Sequence, residues 1–288
     1  MSFIFYYYTP SNAAAVIFIV LFGLSSLLHF YQLVQTRTWF MIPFLIGAIF
    51  ETIGYVGRFL ASSEAPDFTK GPYILQSALI LIAPAFLAAS IYMALGRIIC
   101  MLEAEKLFII RVGWLTKTFV TGDVLSFLMQ ASGAGLMVSN SAGPSTGEHV
   151  IIGGLFVQII FFSLFTISAV VFQTRVAKTP SPRSIELKGL WTRHMIALYT
   201  ASILILIRSV IRVVEYLQGY SGYLMKHEAF IYVFDALLMF ITVLILQYAH
   251  PSEVNCLIGR GHKYSENVLW TRKFVPAPAL ELGWSGEV

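Results

Sequence analysis

The sequence predicts an all-α membrane protein, a bundle of seven transmembrane helices with its N-terminus outside and its C-terminus in the cytoplasm. Three observations carry that reading. Of 288 residues, 57% are hydrophobic and only 12% are charged, about half the roughly 25% charge of a soluble domain. The apolar residues gather in runs of the about 20 residues needed to cross a bilayer. The lysines and arginines fall almost wholly on one side of those runs, which sets orientation. A water-soluble globule would have nothing to cover its surface, and a disordered chain would not be this apolar. Long runs favour helices over a barrel. The net charge of +4 belongs to loops facing the cytoplasm, so it is no sign of nucleic acid.

The seven spans run approximately over Ala13–Val34, Trp39–Ala61, Tyr73–Cys100, Lys117–Ser139, Val150–Phe172, Thr192–Leu217 and Ala229–Tyr248. Residues 1–11 then form an extracellular N-terminus with no cleaved leader. Residues 12–250 form the bundle. Residues 251–288, with Pro276, Pro278 and scattered charge, form a mostly unstructured cytoplasmic tail. Fourteen basic residues, from Arg37 and Arg97 to Arg272 and Lys273, lie on the inner side, and only Lys70 and Lys226 on the outer. Cys100 and Cys256 both fall inside and are expected as free thiols. The Pro-containing basic segment 174–191 reads as a mobile loop, attracted to anionic lipid. Together with the tail it is a candidate surface for a cytoplasmic partner. Every loop is too short for a soluble domain.

Polar residues inside the spans carry the functional information, because ionisable groups there cost several kcal/mol and face the bundle interior. In the first span these are Ser25, Ser26 and His29. In the second, Gly47, Glu51, Gly54 and Arg58 share one helical stripe, and its glycines admit a close neighbour. Gln76 opens the third span. Pro84 interrupts it, which kinks the helix and frees a carbonyl. Asp123, Ser126 and Gln130 share a face of the fourth. Arg208, Arg212 and Glu215 are spaced as one stripe of the sixth. Glu228 precedes the seventh and shares a stripe with Tyr232, Asp235 and Thr242. The orientation gathers Glu51, Arg58, Gln76, Arg208, Arg212, Glu215, Tyr232 and Asp235 in the middle and outer half, the candidate substrate site. His29, Asp123, Ser126 and Gln130 sit nearer the cytoplasm, as translocation or helix-packing groups. An alternative is that Glu51, Glu215 and Asp235 neutralise Arg58, Arg208 and Arg212 in a network that only fixes packing.

Several activities lack their residues. No GxxxxGK[ST] loop, HExxH motif, GxSxG elbow or His/Cys cluster is present, so neither an enzyme, a metal site nor a prosthetic group is expected. The seventh span has no lysine for a retinal Schiff base. The third and seventh spans lack the end motifs of the main class of G-protein-coupled receptors.

Glu51-Thr52-Ile53-Gly54-Tyr55-Val56-Gly57-Arg58 resembles the second-span signature of the fungal RTA-like proteins, the lipid-translocating exporter family. Gly122-Asp123 with Ser126, Gln130 and Gly133-Ala134-Gly135 resembles another of its motifs. So do Arg208-Ser209-Val210-Ile211-Arg212-Val213-Val214-Glu215, His227-Glu228 with Tyr232 and Asp235, and His250-Pro251. The resemblance spans about residues 10 to 255. It implies a seven-span protein of fungal membranes, often the plasma membrane. It also implies resistance to toxic amphiphiles, release of sphingoid long-chain bases, and handling of sterol analogues or porphyrins.

Two functions follow as expectations. The first is translocation of a lipid or other amphiphile, with Glu51 and Asp235 suited to an amine and Arg208 and Arg212 to a phosphate or carboxylate head. Its energy would come from a gradient, with protonation of Glu51, Asp123 or Asp235 as coupling. The second is a receptor or sensor of lipid or membrane stress. A translocator needs a route through the inner half, which Asp123, Gln130 and His29 could line. A receptor needs only the outer pocket.

Overall fold

A computed structural model describes residues 10–64, 68–138, 144–219, 222–266 and 268–273. Helix α1 spans Asn12–Thr36, α2 Ile42–Ser63, α3 Lys70–Met101, α4 Val112–Val138, α5 Pro144–Lys178, α6 Pro182–Glu186 and α7 Lys188–Leu217. After the short α8 (Tyr223–Lys226), the last long helix begins as α9 (Glu228–Ile231). It widens into a π-helical segment over Tyr232–Leu237 and continues as α10 (Leu238–Tyr248). A short helix α11 (Ser252–Leu257) and two strands, β1 (Lys263–Ser265) and β2 (Thr271–Lys273), follow.

Six of the described helices are long and apolar enough to cross a membrane: Asn12–Thr36, Trp39–Ser63, Lys70–Met101, Thr146–Lys178, Lys188–Leu217 and Glu228–Leu257. The chain is therefore a multi-pass, all-α integral membrane protein. The expected fourth span is also helical, as α4, but Lys117, Asp123 and Gln130 dilute its apolar character below that of the six. Side chains such as Ile17, Val20, Leu24, Leu27 and Val34 on α1 are exposed. In water this stripe would drive aggregation; in hydrocarbon it is the ordinary outer face of a spanning helix.

Local chemistry sets the helix ends. The Ser11 side chain accepts from the Ala14 N–H at 3.4 Å at the start of α1, and Arg37 ends that helix in the left-handed region, φ 53°. Pro43 occupies the first turn of α2, where its missing N–H costs nothing.

Consecutive helices pack side by side, α1 on α2, α2 on α3, α3 on α4 and α4 on α5. The ring continues from α5 to α7 and α10, and α10 returns to α1. Helix α3 also touches α7 and is the most buried of the candidate spans. Glycines permit the closest approaches. A Cβ at Gly54 would lie 2.7 Å from Ile80 Cγ1, and one at Gly133 would lie 2.7 Å from the Gly147 carbonyl. The glycine stripe of α2 therefore faces α3, as its sequence spacing predicts.

One expectation is corrected. The basic segment 174–191 is largely helical, because α5 runs to Lys178 and α7 starts at Lys188. Ser181 caps α6 and donates from its Oγ to the Leu102 carbonyl at 3.0 Å. In the tail, the described residues 251–266 and 268–273 include α11, β1 and β2 and pack back on the bundle. Arg97 Nη1 donates to Asn255 Oδ1 at 2.6 Å, and Gln32 Nε2 donates to Ser265 Oγ at 3.1 Å. β1 and β2 pair antiparallel, Lys263 opposite Lys273. These partners come from distant helices, so the tail's own composition does not show these contacts. The expectations for residues 1–9 and for residues 274–288 lie outside the described residues. Cys100 and Cys256 are both free.

Candidate functional site

The charged side chains gather where α2 and α7 end and where α3 and the last long helix begin. They form two ion-paired groups. Arg58, fully buried, donates from Nε to the Tyr232 hydroxyl at 2.9 Å and from Nη2 to Glu228 Oε1 at 2.8 Å. Its guanidinium carbon also lies 5.1 Å from the Tyr232 ring centroid, a cation–π contact. Glu228 accepts as well from the Ser11 N–H at 2.8 Å, which ties the head of α1 to this group.

The second group centres on Asp235. Arg208 and Arg212 each donate to one of its carboxylate oxygens, and Arg212 Nη1 reaches Glu215 Oε2 at 3.0 Å. Arg208 Nη2 also donates to the Ile80 carbonyl at 2.8 Å. That carbonyl lies four residues before Pro84, which has no N–H to offer it. The sequence predicts a freed carbonyl in α3, and the structure gives it to a buried guanidinium. The π-helical turn is the second local device. It carries both Tyr232, which meets Arg58, and Asp235, which meets Arg208 and Arg212. Single π turns inside α-helices are frequent at functional sites.

Glu51 stands apart. It is 0% exposed near the middle of α2, yet neither carboxylate oxygen has a hydrogen-bond partner among the described residues. The charges acting on it are Asp235, Arg208 and Arg212. The pairing expected from sequence, with Glu51 as one of three neutralising carboxylates, is therefore corrected. Glu228 takes that place opposite Arg58. One turn along the same face, the hydroxyl of the buried Tyr55 also lacks a partner among the described residues. Its ring stacks on Phe22 at 5.8 Å and Tyr232 at 6.1 Å and lies 5.5 Å from Phe18. Sequence reasoning passed over Tyr55, although its spacing from Glu51 was the available signal.

A small cavity with room for about one water molecule, about 20 Å³, lies beside this cluster. Arg208, Arg212, Glu215, Phe230, Phe234 and Asp235 are among the residues that line it. Gln76 is buried at the α2–α3 crossing, where a Cβ on Gly57 would come within 3.0 Å of its backbone nitrogen.

The other candidates lie elsewhere. Asp123 accepts from the Tyr92 hydroxyl at 2.9 Å, from α4 to α3. Gln130 Nε2 donates to Ser126 Oγ at 2.7 Å and to Gln158 Oε1 at 3.3 Å, from α4 to α5. These groups are buried at helix contacts, with Asp123 Oδ1 and Gln130 Oε1 left without a hydrogen-bond partner among the described residues. His29 is fully buried with its ring 4.7 Å from Phe44 and 5.4 Å from His250.

The model of the RTA1-like protein family matches residues 44–256. The chain is 39% identical over 280 residues to protoporphyrin uptake protein 1 of Saccharomyces cerevisiae, covering 84% of this chain and 90% of that protein. It is 39% identical over 271 residues to protein RTA1 of the same yeast, covering 85% and 84%. It is 27% identical over 276 residues to a sphingoid long-chain base transporter, RSB1, of Saccharomyces cerevisiae, covering 84% and 72%. No solved structure matches. With most of its length covered both by the family model and by relatives at this identity, the chain belongs to the RTA1-like protein family.

Proposed function

We propose that this protein moves an amphipathic lipid, of the long-chain base or sterol-analogue type, across the membrane that holds it. The observation that carries this reading is a largely buried, charge-rich site toward one end of an apolar bundle, with one carboxyl, Glu51, left outside the ion pairs. An amphiphile has a polar head for such a site and an apolar tail for the bundle wall. The relative named a sphingoid long-chain base transporter supports the same chemistry, while the one named for protoporphyrin uptake widens the head groups to consider. The full proposal has α4 as a seventh span, the N-terminus outside, the tail inside, and the plasma membrane as the location. No enzymatic step is invoked.

Beside Asp235 the described residues leave a cavity with room for about one water, so a lipid head group that binds there requires α7 and the last long helix, which line it, to part. A second reading, a lipid sensor, draws on a specific observation: Asp123 and Gln130 are buried and bond to α3 and α5 in helix contacts.

Reconstitution in liposomes separates the two. A labelled sphingoid base should cross protein-containing bilayers faster than empty ones. Saturable binding without faster crossing, with or without a pH gradient, would replace the transporter by the sensor.

A further inference from the structure

Glu51 is the one group of the charged cluster whose chemistry the ion pairs leave open. Arg58, Arg208 and Arg212 carry three positive charges. Glu228, Asp235 and Glu215 carry three negative ones, each in a salt bridge to one of those arginines. The cluster is balanced before Glu51 is counted. The groups that act on Glu51 from facing elements are Arg208 and Arg212 on α7 and Asp235 on the last long helix, and Tyr55 is its near neighbour on α2. Neither arginine reaches its carboxylate oxygens.

A fully buried carboxylate with no hydrogen-bond donor is among the costliest states available to a side chain. Two partners remove that cost: a proton, or a cation brought in from outside. Both cannot sit on the same carboxylate without restoring a net charge to a balanced site. Tyr55 lies one turn from Glu51 on α2 and packs with Phe18, Phe22 and Tyr232; once their stacked faces part, these rings can attract an organic ammonium beside the carboxyl.

We propose that Glu51 is an exchange site, holding a proton when the protein is empty and giving it up to bind the ammonium head of an amphiphile. The step balances. Protonated Glu51 plus a head group of charge +1 gives a carboxylate–ammonium pair plus one proton released to water. No bond other than O–H breaks, and the site carries the same net charge before and after. The proposal rests on the reading that an amphiphile binds in this cluster, and it deepens that reading by naming the charge of the head group and its coupling to a proton.

A fixed-charge probe tests it, because a primary amine carries a proton of its own. Full-length protein in nanodiscs, in weak buffer with a pH dye, is titrated with sphinganine bearing a quaternary trimethylammonium head. The expected result is saturable binding with about one proton released per molecule bound. Glu51→Gln should bind at least tenfold more weakly and release none, while Glu51→Asp should keep the release. Binding without release in the wild-type protein overturns the exchange, and that outcome does not depend on any variant folding. Release that persists in Glu51→Gln overturns the assignment to this residue. Absence of binding overturns both the exchange and the lipid reading beneath it. Binding with release, but without faster crossing in liposomes, supports the exchange and overturns transport.

Discussion

Glu51 and Asp235 are both buried carboxylates in one cluster, yet their surroundings give them opposite roles. Asp235 holds two guanidinium groups. Removing one member of a buried ion-pair network leaves an uncompensated charge and costs about 3–5 kcal/mol. Asp235→Asn should therefore lower thermal stability in detergent by several degrees, whatever the protein transports. Glu51→Gln removes a group that has no donor and replaces it with a neutral isostere, so the unliganded protein should be as stable as wild type or more so. Differential unfolding of the two variants checks this contrast. Loss of transport in Asp235→Asn would say little about substrate contact, whereas loss in Glu51→Gln would say much.

At the scale of elements, small local irregularities build the site. Pro84 leaves the Ile80 carbonyl for Arg208, and a π turn carries both Tyr232 and Asp235. The first was legible in sequence, because a proline's missing donor is a local property of the chain. The π turn was not, since Tyr232 to Leu237 read as an ordinary helical stripe and the extra width answers to partners on other helices. The glycine stripe of α2 was legible for the same local reason as Pro84. The pairing of Arg58 with Glu228 instead of Glu51 was not, because it depends on how far α2 and the last long helix slide past each other. The tail's contacts were not legible either, since Gln32 and Arg97 on distant helices supply their partners. Helices α4 and α5 give an element-level prediction. Gly133→Ala would press a methyl against the Gly147 carbonyl and the Ile151 backbone nitrogen, at 2.7 and 2.9 Å. Neither can move without shifting a helix, so a loss of about 1–3 kcal/mol is expected, read as a lower unfolding temperature.

Across the whole molecule the polar groups are divided between two ends. One holds the arginine–carboxylate cluster. The other holds Arg97 against Asn255, Arg183 against Glu103 at 2.5 Å, and Arg193 against Glu253 at 2.5 Å. The excess of lysine and arginine at this second end sets it on the cytoplasmic side in our proposal. An epitope at the N-terminus should then be detected on intact cells, and one at the C-terminus only after permeabilisation. The reverse pattern would invert the direction in which the charged cluster opens. The same division explains why six spans are plain in composition and α4 is not. α4 spends part of its apolar length on Asp123, Ser126 and Gln130, which bond to α3 and α5 or within α4 itself.

The central claim is that the charged cluster is a ligand site and not only a packing device. Ligand-dependent thermal stability tests it most directly, because a molecule that binds only the folded state stabilises it by about 2.7 kcal/mol at one hundred times its dissociation constant. Saturating sphingoid base should raise the unfolding temperature of the wild-type protein by several degrees and that of Glu51→Gln by about half as much or less. An equal rise in both would place the lipid elsewhere and contradict the account.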